Sequence, residues 1–210
     1  MASLPKTSFT LKGGCFCSAI RYTIQVPPLS ARPIIPVEKD EPIGVQDEVT
    51  ARLPLIDLDH CNSCRRISGS VLEFWLIIPQ SWVRFSLLPK DPACGHAEPA
   101  TVDVVTGKSE ILESTFLSSY SSSEGVKRSF CGRCGTNLTF HYTALGGMAK
   151  AAREKGVEWE PHMDVTLGSL DREGLEMEGM RPTEVAFPED GIGWVKRLLK
   201  EGEKCFSEWI

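Results

Sequence analysis

Ser129-Phe130-Cys131-Gly132-Arg133-Cys134-Gly135-Thr136-Asn137-Leu138 reads as a zinc knuckle. Two cysteines separated by two residues, with a glycine directly after the second, wrap a tight turn around one metal ion. Zinc takes four tetrahedral N or S ligands, so a knuckle is half a site and requires a partner pair. Gly132 and Gly135 suit the turn because glycine accepts positive φ at no steric cost. Phe130, Leu138 and Phe140 flank it, as expected where one strand enters the turn and another leaves.

The partner pair must come from the other cysteines, of which the 210-residue chain has eight in all. Six fall into close pairs, Cys15/Cys17, Cys61/Cys64 and Cys131/Cys134, while Cys94 and Cys205 stand apart and read as free thiols. An even count suits disulfides in short secreted chains. This chain is not short, and its start, Met1-Ala2-Ser3-Leu4-Pro5-Lys6, lacks the charged-then-apolar pattern of a secretory signal. The expectation is therefore a cytoplasmic or nuclear, reducing setting and metal ligation in place of disulfides. A net charge of −5 argues against a non-specific nucleic-acid surface. No apolar run approaches the ~20 residues of a membrane helix.

Around the cysteines the chain reads as mainly β, in a single domain over residues 9–200. Phe9–Ile24 predicts two strands joined at Gly13-Gly14, with Ile20, Tyr22 and Ile24 alternating with Arg21 and Thr23. Cys15 and Cys17, two apart on extended backbone, would face one side. Residues 27–54 hold many prolines and little periodicity, which predicts a long surface loop; lying just before Asp59, it is placed to act as a lid. Leu55–Asp59 predicts a strand running into a Cys-x-x-Cys turn, and Val71–Pro79 and Gln80–Phe85 predict two more. A strand is expected at Thr101–Val105, and the serine-rich Ser118–Glu124 reads as a turn after Ile111–Leu117. Short helices are expected at Ala149–Lys155 and from Gly193 on, the latter presenting Trp194, Val195 and Leu198 on one face. His96, His141, His162 and Asp171 read as surface, packing or turn residues, and Trp75, Trp82 and Trp194 as core.

The three pairs and their neighbours resemble the glutathione-dependent formaldehyde-activating enzyme family, which includes centromere protein V. The matching stretches are Gly14-Cys15-Phe16-Cys17 with Ile20-Arg21-Tyr22; His60-Cys61-Asn62-Ser63-Cys64-Arg65 with Ser68-Gly69-Ser70; Arg128 to Leu138; and Leu167-Gly168-Ser169-Leu170-Asp171. Together they span the chain from Gly13 to Trp194. The resemblance implies a mainly β fold of curled antiparallel sheets and a structural zinc held by Cys15, Cys17, Cys131 and Cys134. It also implies a second zinc on a Cys-His-Cys-x-x-Cys motif. Here the first cysteine position holds Asp59, giving Asp59-His60-Cys61-Asn62-Ser63-Cys64. Three arrangements stay open: Asp59 ligates in place of a thiolate, His60 does so, or the second site holds no metal.

A three-ligand zinc keeps a position for water or substrate. The activity the resemblance implies is addition of glutathione to formaldehyde, a carbon–sulfur lyase reaction run backwards, with Asp59, Cys61 and Cys64 at the reacting centre. Arg65 is then placed to pair with a carboxylate of the thiol substrate, since guanidinium binds carboxylate bidentately. The competing reading is a non-catalytic zinc module that recognises a protein, less readily a nucleic acid, and fold resemblance alone does not separate the two.

Overall fold

The computed structural model describes residues 3–36, 48–143, 146–156 and 158–202. The chain opens with a hairpin, β1 (Phe9–Gly14) and β2 (Ile20–Val26), and continues through β3 (Leu55–Asp59), α1 (Asn62–Ser68), β4 (Glu73–Pro79) and β5 (Val83–Leu87). Two short helices follow, α2 (Thr101–Thr106) and α3 (Ser109–Ser114), then three strands, β6 (Leu117–Ser123), β7 (Val126–Cys131) and β8 (Asn137–Tyr142). The last part holds α4 (Gly147–Glu154), β9 (His162–Thr166), α5 (Arg172–Leu175), β10 (Glu184–Ala186) and α6 (Gly193–Glu201). No helix among the described residues is long and apolar enough to cross a membrane.

The strands form two open sheets, a three-stranded one in the order β1-β2-β5 and a seven-stranded one in the order β10-β3-β4-β9-β8-β7-β6. The mainly β expectation holds. Every pairing is antiparallel except β10 with β3, where Glu184–Ala186 runs parallel to Asp57–Asp59. One apolar core joins the two sheets: Leu11, Ile20, Tyr22, Ile24 and Phe85 of the small sheet pack with Ile56, Leu76, Ile78, Met163 and Val165 of the large one. Burial of each such large side chain stabilises by about 1.5–3 kcal/mol. The other face of the large sheet has its own smaller cluster, which includes Leu53, Leu55, Trp75 and Ile77.

Several local expectations are corrected. Thr101–Val105 is helix α2, not a strand: the adjacent Val104 and Val105 are both buried, which alternating strand geometry does not allow on a one-sided sheet, and Gly107 ends the helix at φ 69°. The serine-rich stretch is strand β6 and not a turn; the turn is at Gly125, φ 70°, and Ser109–Ser114 is helical. β6 is an edge strand whose ladder with β7 satisfies its backbone while half-exposed serines meet solvent. Cys-x-Cys sits in the β1–β2 turn, not on extended backbone, and Cys64 sits in the first turn of α1. Gln80–Trp82 is a 3-10 turn before β5. α6 buries Val195, with Leu198 half-buried, and leaves Trp194 52% exposed, so Trp194 is not core.

Only the flanks of the proline-rich segment are described, since residues 37–47 lie outside the described residues, as does Cys205. The first flank is anchored by Arg32, 1% exposed, whose guanidinium donates to the carbonyls of Pro5, Thr7 and Pro27. Ile34 then bridges to Arg52.

The small sheet docks on the large one where Tyr22 crosses Gly13. The Tyr22 hydroxyl shares a 2.6 Å hydrogen bond with Ser169 Oγ. A Cβ at Gly13 would lie 2.3 Å from Tyr22 Oη and 2.6 Å from the Ser169 carbonyl oxygen, one of them backbone that cannot yield cheaply. Overpacking of this kind costs about 1–3 kcal/mol. Gly13→Ala is expected to lower the thermal midpoint by roughly 5 °C or more, while Gly168→Ala, which meets open space, moves it by about 1 °C or less. Equal midpoints for the two variants in a melting experiment would sink this account of the docking.

Candidate metal centres

Cys15, Cys17, Cys131 and Cys134 converge, with all four sulfurs within 4.8 Å of one another. Two turns bring them together. The β1–β2 turn closes through Cys15 N–H to Ile20 O at 2.9 Å, with Ser18 at φ 60°. The β7–β8 turn closes through Gly135 N–H to Cys131 O at 2.7 Å, with Gly135 at φ 80°. Gly132 serves a different end: its N–H donates to Phe116 O, and a Cβ there would lie 2.5 Å from Ser118 Oγ. The two turns touch directly, Phe16 N–H donating to Thr136 Oγ1 at 3.1 Å.

The sulfur spacings suit an ion. Cys15 and Cys17 lie 3.6 Å apart, and Cys17 and Cys131 3.7 Å. A disulfide would bring them to about 2.05 Å. Metal–sulfur bonds of about 2.3 Å at tetrahedral angles put ligand sulfurs about 3.8 Å apart. The protons of the cluster are also unevenly held. Burial pushes the Cys131 thiol up to about 12 and raises Cys15. At Cys134 burial opposes ionisation, but hydrogen bonds from Thr136 and Cys17 outweigh it and bring the thiol down to about 6. A buried cation would supply the charge that stabilises the remaining thiolates. The four-sulfur group can hold a metal ion in a closed shell.

A second group, Asp59, Cys61 and Cys64, likewise has its ligand atoms within 4.8 Å of one another. Asp59 ends β3, Cys61 is the N-terminal flanking residue of α1, and Cys64 lies in the first turn of that helix. Both Asp59 oxygens are oriented: Oδ1 accepts from Cys61 N–H at 2.7 Å and Oδ2 from Trp75 Nε1–H at 3.1 Å. A carboxylate keeps further lone pairs after two such bonds, and ligating carboxylates are commonly steadied this way. Cys64 Sγ accepts from Arg128 Nη2 at 3.2 Å, while burial pushes the Cys64 thiol up. These residues can hold a metal ion with fewer protein ligands than the first group.

Two residues singled out beside this motif lie elsewhere. His60, between Asp59 and Cys61 on extended backbone, is outside the ligand group, and its ring lies against Gly191. Arg65, one residue beyond Cys64 and so about 100° around the helix, bonds Asn62 Oδ1 at 3.2 Å and does not line the cavity described next. Arg66 is exposed.

The second group opens on a cavity of about 660 Å³, to which Asp59, Cys61 and Cys64 all contribute. Its floor is the outer face of the large sheet. Register makes that face: Asp57 pairs with Trp75, Ile77 with Asp164, Asp164 with Phe140, and Phe140 with Arg128. Ile35 and Pro36, the last described residues of the first flank of the proline-rich segment, reach the wall.

The floor carries titratable groups that sequence reasoning missed. Burial, reinforced by Asp59, pushes Asp57 up to about 7. Burial holds Asp164 well above the usual carboxylate range, with Asp57 adding to it. Burial, then the nearby His141, lowers His162 to about 4; its Nδ1 accepts from Trp159 Nε1–H at 2.9 Å. The signal for Asp57 and Asp164 was present as a carboxylate inside an otherwise apolar strand, Leu55-Ile56-Asp57-Leu58 and Met163-Asp164-Val165.

No family model matches the chain, and no curated protein matches it. Among solved structures, a crystal structure of a Rhodobacter sphaeroides protein from structural genomics is similar at 13% identity, covering 83% of this chain and 99% of that one, with a TM-score of 0.37. A likeness of that degree supports no inference about chemistry.

The two groups differ in what their loss should do. Cys131→Ala with Cys134→Ala is expected to remove bound metal and the cooperative unfolding transition. Cys61→Ser with Cys64→Ser is expected to leave a folded protein with one metal equivalent fewer, measured by elemental analysis and circular dichroism. The buried neutral His162 gives a pH signature. Its folded pKa of about 4 lies below the ordinary 6.5, so its stabilisation is complete above pH 6.5 and is lost as pH falls towards 4. Between pH 7 and 4.5 the unfolding free energy from urea titrations should therefore fall by about 2–3 kcal/mol less in His162→Gln than in the wild type; an equal fall would refute the assignment.

Proposed function

We propose that the chain is a zinc-dependent enzyme of the carbon–sulfur lyase type, acting on glutathione or small-thiol adducts of formaldehyde or a related aldehyde. One observation carries this reading: the three-donor group forms part of a cavity wall, whereas the four-donor group is built as a closed shell. Closed thiolate shells are the structural type of zinc site, and three-ligand sites with an open position are the catalytic type. The donors suit zinc, since thiolate and carboxylate are both established zinc ligands. Asp59 is the ligand that replaces a thiolate in this reading. When bound there, zinc supplies a position at which a substrate thiol is held as its thiolate.

The chain's own residues do the rest. Trp75 and the Cys61 amide fix the carboxylate of Asp59, so that it cannot turn away from the sulfurs. Arg128 steadies Cys64 from the cavity side. Trp75, Ile77 and Phe140 give the floor an apolar patch on which a small thiol and a one-carbon aldehyde can be held together. Arg65 has no part in this reading. Carboxylate recognition, if the thiol carries a carboxylate, falls to cavity residues.

Two measurements test the proposal. Purified protein should carry two zinc ions per chain, and Asp59→Ala should carry one. Formaldehyde consumption should require glutathione or a small thiol and should fall at least a hundredfold in Cys61→Ser. Two zinc ions with no thiol-dependent consumption of any small aldehyde would favour a non-catalytic zinc module. One zinc ion in both proteins would remove Asp59 as a ligand.

A further inference from the structure

Arg128 is held by two rings and two hydrogen bonds, and one of its nitrogens is buried without a partner. Its guanidinium carbon lies 4.6 Å from the centre of the Phe140 ring and 5.6 Å from that of Trp75. Nε–H donates to Ser122 Oγ at 3.2 Å, and Nη2–H to Cys64 Sγ at 3.2 Å. Nη1 has no protein partner, although the side chain is only 3% exposed and contributes to the cavity. A guanidinium keeps its charge at any ordinary pH and carries N–H donors on all three nitrogens. Leaving a buried charged donor unmet is costly, and the stacked rings together with two fixed hydrogen bonds keep the group from swinging to find a partner.

The position of this free donor is informative. Nη1 shares one carbon with Nη2, so it lies one guanidinium edge away from the Cys64 sulfur. A thiol sulfur seated beside Cys61 and Cys64 carries its new substituent carbon, and the oxygen on that carbon, within reach of Nη1. We propose that Arg128 Nη1 receives the carbonyl oxygen of the aldehyde and stabilises the negative charge that grows on it as the thiolate attacks. This rests on the thiol–aldehyde reading given above.

The step balances without any redox partner. The sulfur electron pair forms the C–S bond, the C=O π pair moves to oxygen, and that oxygen takes up one proton, equal to the one the thiol released to water. In the reverse direction the C–S bond breaks, its electron pair returns to sulfur, and the oxygen gives its proton back. A fixed donor aimed at the developing charge lowers the barrier because it does not reorient during the reaction, and loss of one such donor costs about 10²–10³ in kcat.

Formate is the probe, a one-carbon oxyanion that needs no turnover to be seen. Titrated into the purified zinc-loaded protein, it is expected to saturate a change in tryptophan fluorescence, since Trp75 stands beside the guanidinium. Arg128→Gln should weaken that binding at least tenfold, with Arg128→Lys between the two and the zinc content of both variants unchanged. In the wild type, which removes any question of misfolding, saturating formate should shift the Arg128 Nε resonance in a nitrogen-15 NMR spectrum. In turnover, Arg128→Gln should lower kcat by about 10²–10³ and leave KM for the thiol within about threefold of the wild type. Failure of formate to bind the wild type, equal binding to Arg128→Gln, or an unshifted resonance would each overturn the assignment. Arg128-dependent formate binding in a protein without thiol-dependent aldehyde consumption would keep the oxyanion site and overturn the proposed reaction alone.

Discussion

Four sulfurs from two turns far apart in the chain share one small volume, and the rest of the structure is arranged around that requirement. Cys15 and Cys17 belong to the turn of the three-stranded sheet, Cys131 and Cys134 to a turn of the seven-stranded one. The group therefore fixes how the two sheets meet, alongside the shared apolar core and the Tyr22–Ser169 hydrogen bond. It also closes a chain segment of more than a hundred residues, a separation of 114 between Cys17 and Cys131. By chain-entropy reasoning a covalent link over that span is worth about 4–5 kcal/mol, and a metal clip acts in the same sense. Four clustered thiols, two of them buried, offer no comparable return for their ordering without an ion.

The same strand carries the constraint to the cavity. β7 ends at Cys131 and holds Arg128 three residues earlier, a rise of about 10 Å. Laddered to β6 on one side and β8 on the other, β7 has little freedom to slide, and the guanidinium that touches Cys64 is positioned accordingly. The two cysteine groups thus stand in different places: one lies where the turns of the two sheets meet, and the other where the strands of the large sheet leave a hollow.

Much of this was legible in the chain. The Cys-x-x-Cys-Gly turn, its partner Cys-x-Cys and the alternation in Ile20–Ile24 are local signals, and each marks its element. Asp59, Cys61 and Cys64 were close in sequence and are close in space. Arg128 was not legible as a site residue, because its partner Cys64 is 64 residues away and only the order β4-β9-β8-β7 brings the two together. Arg65 was the nearer arginine, but it bonds Asn62 and does not line the cavity, since one step along a helix turns it about 100° from Cys64. Thr101–Val105 misled for a related reason: two adjacent valines fit a strand by propensity, but the following Gly107 and the burial of both side chains belong to a helix. The pairing of β10 beside β3 rests on contacts between segments more than 120 residues apart, with three residues per strand to announce it.

Alternation along the central strands has a consequence for how such a protein can change over time. Ile56, Leu76, Ile78, Met163 and Val165 serve the core, while Asp57, Trp75, Ile77 and Asp164, their immediate neighbours in the chain, serve the hollow. The two sets are interleaved but do not overlap. Polar lining positions such as Asp57 and Asp164 can therefore drift towards new ligands without removing a side chain from the main core. Asp59, which ends β3, stands at one such lining position.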